Sequence, residues 1–157
     1  MSSIGFDPAA RLAAAQAFFK VIPHSATLGL EVVACEPGVI IARLPYKPEL
    51  VGNPYTGRIH GGAVMTLVDQ ASGAAVVHSL DVPESVATLD LRVDHLRPPE
   101  AGRDVFARAE CYRIAREIAF VRCVCYQDDP ADPFVSSMST FMRNSNRRGS
   151  MLKGRNA

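Results

Sequence analysis

The sequence predicts one α+β domain, an antiparallel sheet curved around a single long buried helix. Three observations carry that prediction. Residues 60–80 place apolar side chains around nearly the whole helical wheel, as a helix enclosed by other structure does. Residues 87–94 alternate apolar with polar, as a strand with one wet face does. The remaining strand-like runs follow one another through short turns, which makes them antiparallel neighbours.

The elements follow in order. Asp7-Pro8 starts a helix, because an N-cap oxygen acceptor precedes a residue already set at helical φ. Leu12, Ala15, Phe19 and Ile22 recur at helical spacing, and Pro23 ends the run. Strands are expected over 28–35 and 39–44, turned by Glu36-Pro37-Gly38. A loop rich in Pro, Gly and Asn spans 46–59, and the buried helix follows. After the alternating strand, 98–102 turns the chain. Two long strands, 104–114 and 117–127, meet at Ala115-Arg116, and Asp128-Asp129-Pro130 breaks the second. A last strand covers 134–142. The division expected is an amphipathic helix over 1–26, the main domain over 27–143 and a basic, disordered tail over 144–157.

Composition narrows the function. A chain of 157 residues, 48% hydrophobic, suits one domain with its own core and excludes a disordered protein. No apolar run is long enough for a membrane span. Seventeen basic against sixteen acidic residues give a net charge of +1, without the basic excess of a nucleic-acid binder. Only the tail, basic from Arg143 to Arg155, departs from this balance. Cys35, Cys111, Cys123 and Cys125 fit no zinc spacing and read as packed free thiols in a reducing compartment. The N-terminus lacks a secretory pattern, so a cytoplasmic location is expected.

The buried helix carries polar residues that need a reason. Thr66, Asp69, Gln70 and Gly73 share one face by their spacing. A carboxylate on an apolar helix must be solvated, hydrogen-bonded or protonated, so Asp69 is either the helix's wet edge or a base or nucleophile held beside a pocket. His60-Gly61-Gly62 opens the same helix, where the first N–H groups lack intrahelical partners and glycine admits a ligand to the main chain. Those groups favour an oxygen that carries negative charge, as in acyl transfer. His60 is a ligand, a base or a cap. Asp69 lies seven residues beyond Gly62, about 10 Å along the axis, so one carbonyl reaches both groups only across two subunits. No metal site, nucleotide loop or serine nucleophile motif is present.

The stretch from Asn53 through His60-Gly61-Gly62 to Asp69, together with Thr88 to Arg97-Pro98, resembles the PaaI-like acyl-CoA thioesterases of the hotdog fold. The likeness runs from about Leu28 to Met142. It implies a catalytic role for Asp69, which attacks the thioester or activates water, and a Gly61 N–H that polarises the carbonyl from the neighbouring subunit. It implies further that His60 supports that geometry, that Asn53 orients water or substrate, and that Thr88 places the water or the carboxylate. Gly62, Thr66, Gln70 and Arg97 are the expected substrate contacts, with Arg103, Arg113, Arg116 and Arg143 as further phosphate candidates. Asn53 stands seven residues before His60, where many members have six. The strand's alternation puts Thr88 opposite the apolar face, so it reaches the site only near a subunit boundary. The expected substrate is an aryl or short- to medium-chain acyl-CoA, taken by a homodimer or dimer of dimers with no cofactor, metal, membrane or nucleic acid. Two alternatives share the fold: an acyl-thioester dehydratase or hydratase, and a non-catalytic acyl-CoA-binding oligomer.

Overall fold

The computed structural model describes residues 7–82 and 84–143; the predicted basic tail lies outside them. Helix α1 (Pro8–Val21) starts as expected, with Asp7 accepting a hydrogen bond from the Ala9 N–H. Pro23 does more than end it. Proline is also favoured at a helix's first position, and a second helix, α2 (Pro23–Leu28), begins there. Gly29 at φ 75° caps α2 in the left-handed region, so the strand expected from residue 28 starts later.

That strand is β1 (Glu31–Glu36), followed by β2 (Val39–Leu44). The predicted loop contains a 3-10 turn, Pro48–Leu50, and a small hairpin of β3 (Val51–Asn53) and β4 (Arg58–Ile59). Helix α3 (Gly61–Val77) comes next, then β5 (Val86–His95), β6 (Val105–Ala115), β7 (Ile118–Tyr126) and β8 (Val135–Arg143). All but β3 and β4 join one antiparallel sheet in the order β1-β2-β6-β7-β8-β5, against which α3 packs. The α+β expectation holds.

Small side chains let helix and sheet approach closely. Ala71, Ala74 and Ala75 of α3 and Ala107 and Ala109 of β6 are all fully buried in the same core. Ala15 and Phe19 of α1 and Leu28 of α2 join that core. The helix is not enclosed on every side, however. Gly62, Met65, Thr66, Asp69 and Gln70, spaced along one face, stay partly or fully exposed in the single chain. Beyond them, 71–76 are buried completely.

Strand β5 departs most from the sequence pattern. A bulge leaves Leu89 without a partner, since Thr88 faces Phe141 and the next pair is Asp90 with Thr140. One extra residue reverses the alternation. Val86 lies on the core side before the bulge, Leu91 and Val93 after it, while Leu89 is 51% exposed. The expected core face through Ala87 and Leu89 is thus corrected. β5 also ends the sheet, with its outer edge unpaired among the described residues.

Candidate active site

The start of α3 is held from below by the β3–β4 hairpin. The His60 N–H donates to the Leu50 carbonyl at 2.8 Å. Gly52 passes so close that an added Cβ would stand 2.8 Å from the His60 Cα, which is why this strand position has no side chain. His60 itself is the N-cap. Its Nδ1 accepts the Gly62 N–H at 2.9 Å, so the proton of a neutral ring sits on Nε2. The His60 carbonyl takes the Ala63 N–H at 3.0 Å. Among the amides of this first turn, the Gly61 N–H alone has no acceptor among the described residues. An open donor at the positive end of a helix suits a carbonyl oxygen that gains charge.

Two turns further along α3, Asp69 is half-buried. Thr88 Oγ1 donates to its Oδ1 at 2.8 Å within the same chain. This corrects the expectation that Thr88 needs a subunit boundary. Thr88 pairs with the buried Phe141, and paired residues point to one face of a sheet, so the bulge turns Thr88 toward the helix. No cation pairs with Asp69 among the described residues. Its carboxylate is oriented by one hydroxyl and otherwise free to take a proton or attack.

Between α2, the 3-10 turn, β3 and the start of α3 lies a cavity of about 300 Å³, lined by residues including Leu28, Leu50, Val51, Ala63, Thr66 and Gly62. His24 and Glu49 complete its wall beside His60. Thr66 Oγ1 donates to the Gly62 carbonyl at 3.0 Å, so His24 Nε2, 3.4 Å away, is the donor to Thr66. Sequence reasoning missed His24 and Glu49. A six-residue helix and a three-residue turn carry no periodic signal that would have shown them facing α3.

The other expected residues are dispersed. Asn53 Oδ1 accepts the Tyr55 N–H at 3.0 Å, which closes the turn between β3 and β4. Gln70 shares the open face with Asp69. Arg97 binds Asp132 at 2.8 Å, Arg103 is held by Glu100 and Asp128, and Arg143 binds Glu84 at 2.9 Å. A phosphate would have to displace those carboxylates. All four cysteines are free thiols, and burial pushes Cys35 and Cys111 above their ordinary range, away from this site. Among the described residues no cluster of His, Cys, Asp or Glu suits a metal ion, and no helix is long and apolar enough to cross a membrane.

Residues 56–133 match the family model of the thioesterase superfamily. A crystallised Pseudomonas aeruginosa protein is 41% identical, with 85% of this chain and 98% of that one aligned and a TM-score of 0.78. The medium/long-chain acyl-CoA thioesterase YigI of Salmonella typhimurium is 28% identical over 80% of this chain and 88% of its own. The phenylacetic acid degradation protein PaaI of Thermus thermophilus, solved as a point mutant, is 26% identical over 77% of this chain and 98% of its own, with a TM-score of 0.67.

Proposed function

The chain belongs to the thioesterase superfamily and has the hotdog fold, and we propose that it hydrolyses a coenzyme A thioester to free acid and CoA. The observation that carries this reading is Asp69, a carboxylate on a core helix with a hydroxyl donor and no cation partner among the described residues. A carboxylate aimed by a hydroxyl on the open face of that helix is placed for chemistry.

The site is completed by a second copy. Gly61 and Asp69 are eight residues apart on one helix, about 12 Å along its axis, too far for a single thioester. The open edge of β5 and the exposed Met65, Leu89 and Met138 offer a surface for that copy. The Gly61 N–H of one subunit polarises the carbonyl. Asp69 of the other, aimed by Thr88, takes the proton from water as it adds, or adds directly to the carbonyl carbon. CoA leaves as thiolate, which needs no metal. In the direct route, water then hydrolyses the anhydride. His60 supports the geometry by consuming the Gly62 N–H. Gly62 and Thr66 border the substrate path, and Gln70 shares the open face of α3 with Asp69. The acyl group is aryl or of short to medium length, and the mostly apolar wall of Leu28, Leu50, Val51 and Ala63 suits it. Four free thiols suit a reducing, cytoplasmic setting.

The test is a free-thiol release assay over aryl-, short-, medium- and long-chain acyl-CoAs, with Asp69→Asn beside wild type. Wild-type turnover that falls by about two orders of magnitude or more in a folded Asp69→Asn protein is the expected result. Equal turnover in the variant would remove Asp69 from the chemistry.

A further inference from the structure

The wall of the cavity is electrostatically one-sided. Of the described residues that line it, Glu49 is the one carboxylate, and no lysine or arginine is among them. Lys47, two residues earlier, packs its ammonium against Gly29 and is not among the lining residues. Glu49 has neither an ion pair nor a hydrogen bond among the described residues. His60 and Gly62, beside the open Gly61 N–H, line the same cavity. An acyl group whose carbonyl sits at Gly61 and that enters this cavity therefore lies within the wall that Glu49 shares with Leu28, Leu50, Val51 and Ala63.

We infer that Glu49 selects against acyl groups that end in a second carboxylate, so that the enzyme takes neutral acyl chains or rings and rejects dicarboxylic ones such as succinyl. This rests on the reading that an acyl-CoA occupies the cavity. The size of the cavity makes the selection effective. Any carboxylate within 300 Å³ stays within about one Debye length, about 8 Å at physiological ionic strength, of a lining charge. The walls formed by Leu28, Leu50, Val51 and Ala63 offer such a carboxylate no hydrogen-bond donor in return. Glu49 is exposed at the rim, so solvent moderates the repulsion to about three- to ten-fold.

The experiment compares two hydrolysis-inert thioethers of equal reach, S-butyl-CoA and S-(3-carboxypropyl)-CoA, by calorimetric titration of the full chain. Wild type is expected to bind the butyl compound about three- to ten-fold more tightly, with the ratio shrinking at high salt. Glu49→Gln should bring the two within about two-fold, while Glu36→Gln, an equal charge change on β1, should leave the wild-type ratio in place. Equal binding by wild type, or an unchanged ratio in a folded Glu49→Gln protein, would overturn the inference. Turnover of butyryl- against succinyl-CoA separates the two claims. Thioether discrimination without any hydrolysis would defeat the catalytic reading and leave the selection intact. Hydrolysis with no discrimination would do the reverse.

Discussion

Thr88 Oγ1 stands 2.8 Å from Asp69 Oδ1, a hydrogen bond between an edge strand and the core helix that links residues nineteen positions apart in sequence. The hydroxyl is the donor and the carboxylate the acceptor, so one oxygen of Asp69 is tethered and the other is presented outward. Thr88→Val keeps the shape of the side chain and removes the donor. It is expected to lower kcat by about ten- to a hundred-fold with little change in KM, and Thr88→Ser should recover most of the loss. Steady-state thiol release on the three proteins checks this.

A shared site predicts complementation. Gly61 is the first residue of α3, preceded by His60 in an extended conformation, and both conditions admit proline. Gly61→Pro should therefore fold yet lack the polarising N–H, and be inactive. Mixed through a dissociation and reassociation cycle with Asp69→Asn, it should regain about a quarter of wild-type activity, because half the dimers are hybrids with one intact site each. No recovery from a mixture that does form hybrids would place both groups in one subunit's site.

The two glycines flanking His60 should answer differently to alanine. At Gly52 the new methyl meets the His60 main chain at 2.8 Å, and backbone cannot yield cheaply. A loss of about 1–3 kcal/mol is expected. At Gly61 the nearest atom is a His95 ring carbon at 3.7 Å, an ordinary contact, and a helical position gains from the exchange. Thermal melts should show Gly52→Ala well below wild type and Gly61→Ala no lower than it.

His78, beyond the C-terminal end of α3, is held below its ordinary value of 6.5 first by burial and then by the Arg11 charge. The unfolded chain thus binds a proton more readily there than the folded one. Stability from this group is complete above pH 6.5 and is lost as pH falls from 6.5 toward the depressed folded value. In His78→Gln, Tm should decline less than in wild type as the pH is lowered through that window. Parallel Tm–pH curves would show that His78 contributes nothing.

Much of this was legible in the sequence because it is local. The apolar wheel of α3 and the turn at Gly38 depend on neighbours a few residues away, and they stand where the pattern places them. His60, Gly61 and Asp69 lie on one continuous helix, so their relative geometry follows from spacing alone. Thr88 was misplaced because a bulge leaves no mark in an alternating pattern: Leu89 reads as a core residue until its missing partner is seen. His24 and Glu49 were invisible for another reason. Their elements have six and three residues, too few to display a period, and their orientation is set by packing against α3.

The bulge at Leu89 has a consequence for how this strand tolerates change. Its side chain is half exposed in the single chain and belongs to the apolar surface offered to the second copy, so other apolar residues should be equivalent there. Thr88 and Leu91 are three positions apart, so a regular strand that kept Leu89 would turn either Thr88 or the pair Leu91 and Val93 to the wrong face, whereas a strand shortened by that residue would keep all three on the core face without a bulge. The bulge absorbs the extra residue, and the aim of Thr88 at Asp69 and the packing of Leu91 and Val93 survive together.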